Sequence, residues 1–270
     1  MLWNDILQES TKTGFHPSQI LQEQLQKAVL AVLSHRNAFH HIVFQGGTSL
    51  RLFYGNPRFS EDLDFVLFPP TTSYDLSKHL STLTTDLHSY FPFLHGVTAS
   101  RQKSDDLLQR YALITASKNS DQRVRLHVEL AHVPSHDSTL KILSFPPLQP
   151  AVRVETTKEI LADKLLALAN RPYIKGRDLW DIYYLITTQH EQPSWDLVWK
   201  KAADYHAHVP TLHKKLQHVS VALETQGTQL LSTELQRFLP PSTFAMYQKQ
   251  FSDIITLIIH MLKNDEREPS

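Results

Sequence analysis

The sequence predicts a mixed α/β unit over residues 1–150, followed by an all-helical unit over residues 151–270. Three observations carry that division. Short apolar runs with a period of two, the mark of strands, fall in the first part. Beyond residue 155 the apolar residues recur at helical spacing between turn signals at Pro172–Gly176, Pro193, Pro210, Gln226–Gly227 and Pro240–Pro241. Between them, residues 134–150 hold Pro134, Pro146, Pro147 and Pro150 among scattered polar residues, the composition of a boundary. At 270 residues and 41% hydrophobic content, the chain is long enough for a core in each part.

Taken in order, residues 17–35 open on Pro17 at a first helical position and run Ile20, Leu21, Leu25, Ala28, Val29 and Val32 along one face, an amphipathic helix. His41–Gln45 reads as a short buried strand ending at Gly46–Gly47, and Thr48–Tyr54 as a short helix. Leu63, Phe65 and Leu67 alternate with Asp62, Asp64 and Val66, a strand that Pro69–Pro70 ends. Residues 74–90 suit a surface helix. Arg110–Ser117 and Arg123–Leu130 are two strands joined by a polar loop at 118–122.

Composition excludes several function classes. The chain has no cysteine, which removes disulfide frameworks, thiol nucleophiles, iron–sulfur clusters and cysteine zinc fingers, and suits a cytoplasmic protein. The amino-terminal residues lack a basic and apolar leader, and the most apolar stretch, 251–262, is broken by Ser252, Asp253 and His260, so neither a signal peptide nor a membrane span is expected. Basic and acidic residues number 27 each and divide evenly between the two parts, so a nucleic-acid partner must be met by a local patch. The 16 histidines show no metal-binding spacing and read as surface residues.

Only seven glycines occur, yet Gly46, Gly47 and Gly55 lie close together. Paired glycines between a strand and a helix let backbone N–H groups approach an anion at a helix start. Shortly after them, Asp62 and Asp64 are two residues apart on a strand and therefore share a face while Leu63 points into the core. Two carboxylates on one face repel unless a cation lies between them, so they form a natural Mg²⁺ (or Mn²⁺) site beside a bound triphosphate. Each fragment alone also fits a common turn or a solvated strand edge.

A second constellation is independent of the first. Thr156 and Glu159 have the spacing of a capping box. In the helix they open, Ile160, Leu161, Lys164, Leu165 and Leu168 fall within an arc of about 140°. Lys164 therefore sits inside the apolar stripe and needs an anion. In the following helix Asp178 occupies the middle of the arc formed by Leu179, Ile182, Leu185 and Ile186, with Asp181 at its edge. A Lys164–Asp178 pair that only fixes helix packing and a pair that serves a ligand are both open on this pattern.

The string from Gly46 through Arg51 to Phe59-Ser60-Glu61-Asp62-Leu63-Asp64-Phe65 resembles the nucleotidyltransferases of the DNA polymerase β-like superfamily, and within it the AbiEii/AbiGii-type toxins. Asn170–Arg171 and Lys175 through Asp181 resemble that family's second signature, a lysine-bearing helix followed by Arg-Asp-x-x-Asp. The resemblance implies a nucleotidyltransferase fold whose helical part closes the active-site cleft, and transfer of a nucleoside monophosphate from an NTP with release of pyrophosphate. It implies tRNA or another RNA as the acceptor, an antitoxin encoded nearby as partner, and Asp62, Asp64, Lys164 and Asp178 as catalytic residues. Gly46, Gly47, Thr48, Ser49, Arg51 and Ser60 would bind the nucleotide.

A third carboxylate is expected on a neighbouring strand. Glu129 shares a face with Arg125 and His127 and would support the metal or activate the attacking hydroxyl, although an ordinary solvent-facing glutamate fits the pattern equally. Arg171, Lys175, Lys200, Lys201, Lys214 and Lys215 are the basic residues that could meet RNA phosphates, against a default of solvated helix faces. A protein-modifying nucleotidyltransferase and a catalytically silent nucleotide-binding regulatory module are the alternatives.

Overall fold

The computed structural model describes residues 1–117 and 120–263, which divide into two compact units. The first comprises Met1–Gly55 and Phe59–Glu155; the second comprises Asn56–Arg58 and the chain from Thr156 onward. The elements of the first unit are α1 (Trp3–Thr13), α2 (Pro17–His35), β1 (Ile42–Gln45), α3 (Gly46–Tyr54), β2 (Leu63–Leu67), α4 (Ser77–Tyr90), β3 (Leu94–Ser104), β4 (Leu108–Ser117), β5 (Ser120–Pro134), β6 (Ser138–Ile142) and β7 (Ala151–Glu155). Their strands form one seven-stranded sheet in the order β3-β4-β5-β2-β1-β7-β6. The β2–β5 and β1–β7 pairs are parallel and the rest antiparallel, so the sheet is mixed, as the nucleotidyltransferase resemblance implies.

The short apolar strands β1 and β2 lie at the centre of the sheet because Ile42, Val43 and Phe44 and then Leu63, Phe65 and Val66 are buried. Phe44 and Phe65 meet with ring centroids 5.3 Å apart, and α2 covers the sheet with Leu25, Val29 and Leu33. Helix α4 is less superficial than a surface helix, since Leu80, Leu83 and Leu87 are buried. Strands β3 and β6 carry mixed, largely polar sequences without a sustained period of two, and both lie at sheet edges where one backbone side needs no partner. Strand β7 follows the proline-rich segment, so the sheet extends past residue 150 and the chain leaves the first unit after Glu155. Of the expected loop at 118–122, residues 118–119 lie outside the described residues and 120–122 begin β5.

The second unit contains α5 (Thr157–Asn170), α6 (Gly176–Thr187), α7 (Trp195–Asp204), α8 (Val209–Phe238), α9 (Pro241–Gln248) and α10 (Phe251–Lys263). The turn expected at Gln226–Gly227 is instead the interior of α8, a 30-residue helix. Gly227 is there for close approach: a Cβ at this position would stand 2.7 Å from Ile255 Cδ1 on α10. Pro210 likewise occupies the first turn of α8, where its missing N–H costs nothing, and does not break the chain. No helix among the described residues is long and apolar enough to cross a membrane.

The α8–α10 contact yields a stability test. Gly227→Val places branched carbons against Ile255 and should lower unfolding free energy by about 1–3 kcal/mol through overpacking, despite valine's better helix propensity. Urea denaturation followed by circular dichroism measures the loss; undiminished stability would mean that the two helices do not approach this closely.

Candidate active site

In the first unit the strand β1 ends at Gln45 and the chain turns directly into α3, with Gly46 at φ +79°. This left-handed conformation favours glycine, and a Cβ there would lie 3.0 Å from Asp64 Oδ2. The backbone therefore comes close to Asp64 because residue 46 has no side chain. Thr48 donates its hydroxyl hydrogen to the Asp62 carbonyl, tying the helix start to the residue just ahead of β2. Asp62 Oδ1 and His127 Nδ1 are 3.1 Å apart. Asp64 pairs in register with Glu129 on β5, and Glu129 is gripped by Arg110, with Nε–Oε1 at 2.8 Å and Nη2–Oε2 at 3.0 Å. Arg110 has its pKa raised, first by the hydrogen bond to Glu129, with smaller contributions from Asp62 and Asp64.

One face of β2 and β5 thus carries Asp62, Asp64, His127 and Glu129, the expected carboxylates among them. Among the described residues no group of three His, Asp or Glu side chains is gathered tightly enough to enclose a metal ion. The donor set suits an ion that takes one or two hard carboxylate oxygens and completes its shell with water and phosphate, as Mg²⁺ does.

Several expected nucleotide contacts are differently engaged. Arg51 does not extend into this face: its Nε lies 2.6 Å from Glu23 Oε2 and its guanidinium stacks over Phe15. Burial raises the Glu23 pKa, but Arg51 and Lys27 outweigh it and leave that carboxyl lowered. Ser49 is fully buried, and its hydroxyl makes no hydrogen bond among the described residues. Gly47 and Thr48 are buried as well, while Gly46 is half-buried. Ser60, nearly buried, accepts a bond from Gln26 through its carbonyl at 2.9 Å.

In the second unit, Lys164 on α5 reaches two carboxylates on successive turns of α6: Asp178 Oδ1 at 2.9 Å and Asp181 Oδ2 at 2.7 Å. Burial alone would depress the lysine, but Asp178 and Asp181 override it and its pKa is raised. Asp178 also accepts from Arg171, at the carboxyl end of α5; burial raises the carboxyl, and Lys164 and Arg171 together bring it below its ordinary value. Asp181 is completely buried and meets Arg58, whose Nε lies 2.6 Å from Oδ1, as well as Asn56 Nδ2 at 2.9 Å.

Arg58 and Asn56 are residues that sequence reasoning missed, and Asp181, although noted, is given no role there. Asp181 is signalled at the margin of the apolar arc and as the last carboxylate of Arg-Asp-x-x-Asp; nothing local marks Arg58 as buried, because its partner is 123 residues away.

The expected basic patch is altered at one position. Lys201 is 1% exposed and bonded to Glu159 Oε1 at 2.6 Å and Asp163 Oδ2 at 2.9 Å, so it is a packing residue and not an RNA contact. Of the predicted capping box, Thr156 accepts from the Glu159 N–H at 3.4 Å, and the Glu159 carboxylate also accepts from Lys201 Nζ at 2.6 Å. Lys200, Lys214 and Lys215 are exposed. Lys175 at the start of α6 is half-buried; burial and the neighbouring Arg171 and Arg177 lower its pKa.

The family model for the nucleotidyl transferase AbiEii toxin of type IV toxin–antitoxin systems matches residues 28–256. Among solved structures, JHP933 from Helicobacter pylori is similar with a TM-score of 0.55 at 20% identity, over 93% of this chain and 95% of that one. A candidate nucleotidyltransferase from the same bacterium is similar with a TM-score of 0.54 at 21% identity, over 92% of this chain and 98% of that one. At such identities the two structures speak for the fold. No curated protein matches the sequence.

The buried network has a pH signature. Burial pushes the Asp181 carboxyl up, but Arg58 and Lys164 hold it at about 2, against an ordinary value of 3.8. A carboxylate depressed in the folded state stabilises the fold above its unfolded pKa, and that contribution, roughly 2 kcal/mol here, disappears as pH falls from about 4 to about 2. Melting temperature measured by circular dichroism should therefore drop through that interval. Asp181→Asn should start lower, because Arg58 loses its counter-charge, and change less over the same interval; an equally steep fall in the variant would remove Asp181 from the account.

Proposed function

This chain belongs to the AbiEii family of nucleotidyltransferase toxins, and on that premise we propose that it transfers a nucleoside monophosphate from an NTP to an RNA hydroxyl, with tRNA as the acceptor class. Family membership makes an antitoxin its partner. The observation that carries the site assignment is the approach of the Gly46 backbone to Asp64 on the face that also bears Asp62 and Glu129.

In this reading Asp62 and Asp64 hold a divalent ion such as Mg²⁺, which when bound neutralises triphosphate charge and fixes the phosphates for in-line displacement. Gly46 and Gly47 present backbone at the start of α3, where the helix dipole favours phosphate oxygens. His127 orients Asp62, and Arg110 orients Glu129, which takes the proton of the attacking hydroxyl. The acceptor oxygen forms its bond to the α-phosphorus as the bond to the bridging oxygen breaks, and pyrophosphate leaves. Lys164 supplies a donor to the phosphates and Asp178 keeps that ammonium charged and directed. No nucleophilic side chain is required, because phosphoryl-type transfer depends on positioning and charge stabilisation. The exposed Lys200, Lys214 and Lys215, with Arg171 and Lys175, meet the acceptor's phosphates.

The decisive assay incubates the pure protein with each α-³²P-labelled NTP, total RNA and Mg²⁺ and follows label into RNA. Asp62→Asn should reduce labelling by about 10²-fold or more while leaving the melting curve nearly unchanged, since a repulsive carboxylate pair is relieved. Full labelling by that variant would end the metal assignment.

Charge reversal at Lys200, Lys214 and Lys215 together should weaken RNA binding and flatten its dependence on salt. Unchanged RNA affinity, measured by filter binding across a salt series, would favour a protein acceptor.

A further inference from the structure

We propose that Arg58 and Asp181 are positioning residues for Lys164: with Asn56 they immobilise the Asp181 carboxylate so that, together with Asp178, it fixes the direction of the one ammonium N–H left for a phosphate. The proposal rests on the reading above, in which Lys164 serves the nucleotide.

The geometry leaves Asp181 no freedom. A carboxylate offers about four acceptor sites. Four donors occupy them: Arg58 Nε at 2.6 Å, Arg58 Nη2 at 2.5 Å, Asn56 Nδ2 at 2.9 Å and Lys164 Nζ at 2.7 Å. Asn56 is itself oriented, because its Oδ1 accepts from Trp180 Nε1 at 2.9 Å and from the Arg58 backbone N–H at 3.2 Å. That acceptor role leaves the asparagine amide nitrogen to face the carboxylate. Asp181 is fully buried, so its rotation would break several bonds out of reach of bulk solvent.

The lysine is the consequence. An ammonium has three donors. Two go to Asp178 and Asp181, which stand three residues apart on α6 and so flank it along one helix face. The third is committed to no group among the described residues, and the side chain keeps 12% exposure. Fixing two of three donors fixes the direction of the third.

Packing alone accounts poorly for this arrangement. Arg58, Asp181, Lys164, Asp178 and Arg171 together carry one net positive charge, and the first four are nearly or fully buried. Apolar side chains would fill the same space without the desolvation cost of charges. The first four balance in charge and the excess is that of the exposed Arg171; among those four, Lys164 is the one with a donor left to meet an anion. The second buried lysine of this unit, Lys201, sets the contrast: it also meets two carboxylates, but at 1% exposure it is sealed and presents nothing to a ligand.

The test uses the full-length protein in the NTP transfer assay, with folding followed by circular dichroism. The double variant Arg58→Met, Asp181→Leu replaces the pair with apolar side chains and strands neither charge. It should fold, keep its KM for the NTP within a few-fold and lose about 10- to 100-fold in kcat. Asp181→Asn should show the same split. In both variants the groups left facing Lys164 change, Asp178 remaining on α6 with Arg171 behind it and Arg58 present only in the single variant. The Lys164 Nζ titration, read from ¹⁵N-lysine-labelled protein and assigned by its absence in Lys164→Met, should therefore move to lower pH, and the alkaline limb of the kcat profile with it. A folded variant with wild-type kcat and an unmoved Lys164 titration overturns the proposal, as does failure of both variants to fold, which would make the pair structural. Transfer retained in Lys164→Met would instead remove the underlying reading, a separate and distinguishable result.

Discussion

A carboxylate withdrawn wholly from water must be matched by cations within hydrogen-bond reach, and Asp181 sets that requirement for this protein. Lys164 satisfies one side of it and Arg58 the other, and each choice has consequences along the chain. To deliver Arg58, the residues Asn56–Arg58 leave the unit to which both their sequence neighbours belong and pack in the helical one. To deliver Lys164, the apolar face of α5 accepts a charge where leucine would otherwise stand. Asp178 then supplies the second anion on Lys164, and Arg171 the second cation on Asp178.

The acidic face of the first unit follows a different logic. Asp62 and Asp64 are half-buried at most, and they owe their arrangement to the backbone more than to ion pairing. Parallel pairing of β2 with β5 sets Asp64 beside Glu129, and the left-handed turn at Gly46 brings the start of α3 against the Asp64 carboxylate. Of the arginines near this face, Arg110 is directed to Glu129 and Arg51 away to Glu23, while the exposed Arg125 shares the β5 face. Carboxylate oxygens so arranged are hard donors of the kind a divalent ion takes in the proposed reading.

Two lysines show how far identical local patterns diverge. Lys164 and Lys201 both lie in helices of the second unit and both meet two carboxylates. Lys201 sits beside Lys200 in a run that reads as a solvated basic face, yet it is the more deeply buried of the two, because Glu159 and Asp163 of α5 lie opposite it across the α5–α7 packing. Adjacent residues on a helix point about 100° apart, so one of a lysine pair can face solvent while the other enters the core.

Legible in the amino-acid pattern were the strands β1 and β2, the α2 helix, the same-face placement of Asp62 and Asp64 and the need of Lys164 for an anion. These rest on periods of two and 3.6, which are local properties of the backbone. The sequence left the edge strands β3 and β6 unread, since strands half open to solvent need no apolar alternation, and it mistook Gly227 for a turn because a helix–helix contact gives a glycine no local signature. Tertiary structure alone decided which charges are paired: Arg58 with Asp181, Arg51 with Glu23, Lys201 with Glu159 and Asp163. Those pairings join residues distant along the chain, and whether a charge meets water or a partner is settled by what folds against it, a condition that no local pattern encodes.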